Sequence, residues 1–449
     1  MEILAVAGRF FEWLQVFWSG SAMIAAFSLT GILLSVRTSF VQLRHFPAVM
    51  KESLQGIFCA DGGAGGDISP FQALTTALAG TIGTGNIAGV ATAITLGGPG
   101  AVFWMWVSAF LGMATKYAEI VLAVYFRRAS GGTFAGGPMY FLESGLKSPS
   151  LAVLFATFGA VAAFGIGNLV QANSVASVLQ EACGIPPLAT GLCIAFVAAL
   201  IVLGGIRRLA AVTEKMVPLM SAFYLCSALV IIVLNAERIP EVISRIMKSA
   251  FSGQAACGGF AGAGVASALR FGFARSIFSN EAGLGSASIA HAAAKTDHPV
   301  RQGLWGICEV FIDTHVICTM TALVILSTGA WTSGLEGAAM TSAAFSGSLP
   351  FIGGWVVAGG LVFFALSSLF TWSYYGEKCF EYLANSKFIH CYRLLWVLLI
   401  PFGAAGSLRT VWGLSDTLNG LMAIPNLFGL WGLSGLVASL TREYFGRRR

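Results

Sequence analysis

The chain has 449 residues, 56% of them hydrophobic and 10% charged, with a mean hydropathy of +0.79. A soluble domain carries about 25% charge, so this composition excludes a water-soluble protein and points to a membrane one. The net charge of +6 comes as single and paired basic residues between apolar runs, the pattern of membrane loops and not of a nucleic-acid surface. Nine cysteines contain no Cys-x-x-Cys pair and five histidines no metal-binding spacing, so both read as packing residues.

A membrane helix needs about 20 mostly apolar residues. Eleven stretches qualify: 13–36, 70–93, 99–126, 151–171, 188–205, 216–236, 258–290, 303–327, 350–376, 391–408 and 411–440. The first lacks a strongly basic start and is followed by Arg37 and Arg44, so it reads as a spanning helix and not a cleaved signal. Residues 52–70 form a loop; Pro70 suits a helix start, and Asp67 puts negative charge just ahead of it. The second run is uncharged yet carries AGTIGTGNIAG, Ala79 to Gly89. Glycine there breaks the helical ladder and frees backbone groups that cannot face lipid unsatisfied.

The third run holds Lys116 and Glu119, three residues apart, which read as a structural pair across one helix turn. Residues 129–148 are too polar to span, and GGPMYFLE within them reads as a glycine-rich turn and a short interfacial helix. Gln171 closes the fourth run, either as a ligand group or as a helix end meeting water. The seventh run is the least tidy, and 253–268 can be loop instead. It contains RSIFSNEAGLGSAS, Arg275 to Ser288, a second interrupted segment with Asn280 and Glu281, the latter close in sequence to Arg275. Glu309 and Asp313 follow in the eighth run, four apart; ionisable groups at this depth are functional candidates as relay or gate. The ninth run carries Ser367, Ser368 and Trp372.

Five runs extend from each interrupted segment, so the two sets start from opposite sides of the membrane. Matched breaks in halves of opposite topology mark a secondary transporter's binding site. Most of the 26 basic residues then lie on the cytoplasmic side, with the N-terminus outside and the C-terminus inside. Thr81, Thr84 and Asn86 offer neutral oxygens to a small hard cation. Ser367 and Ser368 either join carbonyls near Gly80 to Gly83 in a sodium site or bond their own helix carbonyls. Trp372 and Phe278 supply apolar wall.

The blocks TIGTGNIAGVATAITLGGPGAVFWMW, GGPMYFLE, FSNEAGLGSASIAHAAAKTDHP and WSYYGEKCFEYL resemble the amino acid carrier family, the alanine or glycine:cation symporters. The resemblance implies an all-α polytopic membrane protein with the LeuT-like five-plus-five inverted-repeat fold and one additional N-terminal helix. Its parts are the extra helix and its connection at 1–51, the repeats at 52–248 and 249–442, and a basic tail at 443–449. It implies sodium-driven uptake of alanine or glycine by alternating access in a bacterial or archaeal plasma membrane. No enzyme chemistry, cofactor or nucleic-acid partner is expected, and a monomer is the expected state. Carried over by motif, the substrate contacts are Thr84, Gly85, Gln171, Phe278, Ser368 and Trp372, and sodium sits among Thr81, Gly83, Ser367 and Ser368. Phe370 and Thr371 precede Trp372 where family members more often have glycine, so pocket size departs from the pattern. Because of Glu281, Glu309 and Asp313, proton coupling is the nearest alternative; a channel is further off.

Overall fold

The computed structural model describes residues 20–51, 65–130, 133–251, 264–384, 386–406 and 408–446. The start of the first expected span, most of the 52–70 loop, most of 253–268 and the last three tail residues lie outside them. Among the described residues, seven helices are long and apolar enough to cross a membrane, and a bent pair makes an eighth. Two shorter apolar helices add to these, α1 (Ser21–Arg37) and α7 (Pro187–Val202).

The broken helices organise the rest. The first, α2 (Pro70–Thr81), starts on a capping box. Ser69 Oγ accepts from Gln72 N and Gln72 Oε1 from Ser69 N, both at 3.0 Å, with Pro70 in the first turn. Asp67, expected to serve this helix end, faces elsewhere. Its Oδ2 accepts from Phe134 N at 2.6 Å, tying down a neighbouring hairpin. At Ile82 the backbone turns extended, ψ 94°. A wide π turn over Gly85–Gly89 leads into α3 (Val90–Gly97), and the axis bends by 53°. The long α4 (Gly100–Tyr125) then runs back through the interior.

After α4 come the hairpin β1 (Arg128–Ser130) and β2 (Thr133–Ala135) and the short α5 (Pro138–Ser144). The expected turn and helix are present; the hairpin is additional. α6 (Pro149–Cys183) runs well past residue 171, and α8 (Gly205–Leu234) follows α7. An amphipathic helix, α9 (Ile239–Phe251), buries Val242, Ile246 and Ala250 along one face.

The second broken helix comprises α10 (Val265–Asn280) and α11 (Ser286–Ala292). Between them Glu281, Gly283 and Gly285 have φ of 56°, 97° and 80°. Glycine at 283 and 285 removes the Cβ clash of that left-handed backbone. Next are α12 (Pro299–Thr328), α13 (Gly337–Ser348), α14 (Gly353–Ala384), α15 (Ile389–Ala405) and α16 (Leu408–Gly446).

The two broken helices run antiparallel, side by side. Ile68, before α2, makes a parallel bridge with Ala294, after α11. At the other end a Cβ on Gly97 would lie 3.2 Å from Ala268 Cα of α10. Midway, a Cβ on Gly85 would lie 3.3 Å from Ser279 Cα. The breaks therefore face each other. α1 is not apart from this arrangement: Phe27 is buried, and its ring occupies the space a Cβ on Gly283 would need.

Candidate functional site

At the first break, Asn86 caps the freed backbone. Its Oδ1 accepts from Gly83 N at 2.8 Å. Its Nδ2 crosses to α12 and donates to Asp313 Oδ1 at 2.7 Å. Asp313 also takes the second break: Ser279 Oγ lies 3.1 and 2.9 Å from its two carboxylate oxygens, and Thr314 Oγ1 lies 2.7 Å from Oδ2. One buried carboxylate thus receives donors from both breaks. Asp313 and Thr314 lie in a π stretch, Phe311–Cys318, where the helix widens. Such insertions recur at functional sites. The sequence singles out Asn86 and Asp313, and Ser279 only as a polar residue of the second break; Thr314 it does not. Only the serine among FSNEA, set beside a buried acid, offered a signal.

Thr84 is buried, and its hydroxyl has no hydrogen-bond partner among the described residues. Gly85 packs on the Phe278 ring, 3.2 Å from where its Cβ would be. Gly83 faces Ser368, whose Oγ would lie 2.7 Å from a Cβ there. Ser368 Oγ lies 3.1 Å from Gly80 O across the helix pair and 3.1 Å from its own helix carbonyl at Phe364. The serine thus bonds its own helix carbonyl, as one reading has it, and also reaches a carbonyl of the first broken helix. Among the described residues, Ser367 bonds only locally, to Phe364 O at 2.8 Å, and Thr81 only to Ala77 O and Leu78 O of its own helix.

Gln171 is buried within α6 and not at its end. A π stretch at Ala163–Leu169 frees the Ile166 carbonyl, which accepts from Gln171 Nε2 at 2.9 Å; Gln171 Oε1 has no partner among the described residues. Trp372 packs on Gly167 and donates from Nε1 to Glu281 Oε1 at 2.9 Å. It therefore braces the second break, beyond the expected role of apolar wall.

The expected ion pairs are rearranged. Lys116 meets Glu309 at 3.2 Å, while Glu119 Oε1 accepts from Gly283 N at 2.9 Å and Asn426 Nδ2 at 2.6 Å. A backbone amide at the break outcompetes the neighbour on the same helix. Glu281 is bonded by Ser286 and Trp372, not by Arg275, whose guanidinium lies over the Phe278 ring. Asn280 bonds Ser276 and Thr314, both at 3.1 Å. Glu309 also meets His291 Nε2 at 3.1 Å, so it and Asp313 serve separate clusters.

Cavities lie toward both ends of α14. One of about 380 Å³ touches its start with Glu181, Ser342 and Trp355. One of about 490 Å³ touches its end with Tyr374, Lys378 and Arg393, where Arg393 grips Glu377 through two bonds of 2.7 and 2.8 Å. Between them the side chains at both breaks are buried. This geometry can hold a small hard cation on carboxylate and hydroxyl oxygens. Thr84 Oγ1 and Gln171 Oε1, without protein partners among the described residues, are the groups that can meet a small polar solute.

Residues 5–449 match the sodium:alanine symporter family. The chain belongs to that family. It is 51% identical over 434 residues to the sodium/alanine symporter AgcS of Methanococcus maripaludis, covering 95% of this chain and 94% of that one. An uncharacterized transporter of Haemophilus influenzae is 48% identical over 432 residues, with 95% and 94% covered. Among solved structures, MhsT in complex with L-phenylalanine superposes with a TM-score of 0.56 at 12% identity, over 84% of this chain and 99% of that one. That likeness concerns the fold alone, which is all-α with several helices long and apolar enough to cross a membrane. Family membership makes this sodium:alanine symporter homologue a transporter and not an enzyme.

Proposed function

We propose that the protein is a sodium-coupled symporter of small neutral amino acids, alanine or glycine, working by alternating access. The observation that carries this reading is the Asp313 carboxylate receiving Asn86 from one break and Ser279 from the other. The reading takes eleven spans, ten of them as inverted five-helix repeats, and the antiparallel pairing of the broken helices supports the inversion. The protein lies in a bacterial or archaeal plasma membrane, with the N-terminus outside and the C-terminus inside.

Sodium enters as co-substrate. The carboxylate of Asp313 with the hydroxyls of Ser279 and Thr314 presents hard oxygens and one compensating charge. A second position uses Gly80 O, Gly83 and Ser368, with Thr81 and Ser367 shaping the two helices around it. The amino acid is read by the Thr84 hydroxyl, freed amides near Gly85, and Gln171 Oε1. Phe278 limits the side-chain space, and Trp372 holds Glu281. Sodium at Asp313 touches both breaks, so its binding free energy depends on how they are set. That differential affinity is what couples ion to substrate.

The test is radiolabelled alanine uptake into proteoliposomes, with sodium and proton gradients imposed separately. Accumulation is expected with the sodium gradient alone. Equal accumulation from a proton gradient without sodium would overturn the ion assignment.

A further inference from the structure

Far from the breaks, where α1 and α16 end together, lies another cavity of about 380 Å³. Thr38, Ser39, Arg44, His45, Arg442 and Phe445 line it, and no acidic side chain does. Arg44 has no carboxylate partner among the described residues. Among the described residues Arg442, which lines the cavity, bonds only through Nε, donating to Ala438 O of its own helix at 3.3 Å. Of the other charged groups on these two segments, Arg37 in the last turn of α1 adds to the positive end, and Glu443 does not line the cavity. The His45 ring stacks on Phe445, centroids 3.6 Å apart and 8° from parallel, giving one firm wall.

An apolar stripe leads away from this basic end. Leu29, Ile32 and Val36 are exposed on one flank of α1, and Phe40 and Leu43, past the turn at Ser39, are exposed as well. Beside it, Trp431 of α16 is partly exposed and donates from Nε1 to Thr30 Oγ1 of α1 at 2.6 Å, clamping the two helices. Two arginines without counter-ions among the described residues, set beside exposed apolar side chains, match a molecule with an anionic head and a hydrocarbon tail. Guanidinium favours phosphate through paired, planar hydrogen bonds.

We propose that this cavity is a headgroup site for an anionic phospholipid, with the phosphodiester on Arg44 and Arg442 and an acyl chain along the α1 stripe. Basic pockets between membrane helices bind such headgroups. The exposed apolar side chains beside the cavity favour a lipid over free phosphate.

The test uses the full chain in neutral detergent with phosphatidylglycerol, phosphatidylcholine or inorganic phosphate, reading bound lipid by native mass spectrometry. The wild type is expected to retain phosphatidylglycerol over phosphatidylcholine. Arg44→Gln with Arg442→Gln is expected to weaken that retention on the order of 20-fold. Lys248→Gln, on the exposed side of α9, is expected to change nothing. Ser39→Asp, which adds a like charge to the lipid's, gives the same expected loss should the double variant fail to fold. Equal retention of the two lipids, undiminished retention by the variants, or displacement of the lipid by inorganic phosphate would each overturn the proposal.

Discussion

Thr84 carries a buried hydroxyl that no described protein group meets. Replacing it by valine keeps the shape and removes an unsatisfied polar atom, so the fold should not suffer. Transport should. Thr84→Val is expected to raise the alanine concentration for half-maximal uptake about 5- to 30-fold, the weight of one hydrogen bond to a charged ligand, with the thermal midpoint unchanged or higher. A lowered midpoint with unaltered affinity would assign Thr84 to packing. Asp313 makes the complementary case. Asp313→Asn keeps the shape and loses the charge. It should raise the sodium concentration for half-maximal uptake at least ~10-fold. An unchanged sodium dependence would remove Asp313 from the ion site. Asn86, Asp313 and Thr84 were legible from sequence because polar groups in an apolar run demand a reason. Ser279 was legible as part of the second break but not as a partner of Asp313, and Thr314 was not legible, because their meaning lies in which strangers they meet.

The breaks themselves were legible as elements. Glycine beside hydroxyl and amide groups announces a helix that stops, and both breaks lie where the sequence puts them. The widened stretches at 163–169 and 311–318 left no comparable sign, since a π turn needs no special residue. α9 carried one that went unread: Val242, Ile246 and Ala250 fall four apart on its buried face. α13, built mostly of small residues, has little periodicity to show. Gly283 tests the second break. Its φ of 97° and the Phe27 ring beside it leave no room for a methyl group. Gly283→Ala is expected to destabilise the protein by about 2 kcal/mol or more, seen as a lower thermal midpoint and poor membrane yield. A variant of normal stability would show that the break relaxes freely.

Across the whole molecule, the interior is held by charge as well as by packing. Lys116 and Glu309 are both fully buried, 3.2 Å apart, with His291 on the far carboxylate oxygen. Removing one partner strands the other, whereas removing both need not hurt. Lys116→Met should therefore destabilise by about 3–5 kcal/mol, and adding Glu309→Gln should recover much of that. Thermal midpoints of the two singles and the double close the cycle; simple additivity would mean the pair is not a unit. This partnership was beyond sequence reading, because Glu119 was the nearer acid along the chain and Glu309 the nearer one in space.

The Ile68–Ala294 bridge has a mechanical outcome. Asp67 N to Ala293 O and Lys295 N to Ile68 O, both 2.8 Å, rivet the bent rods together at a single extremity. Shears riveted at one handle part at the blades. The Ile68 tip is tied by backbone hydrogen bonds and, among the described residues, the Gly97 tip by side-by-side packing alone, so a swing of one rod against the other during turnover is expected to be smaller at the Ile68 tip.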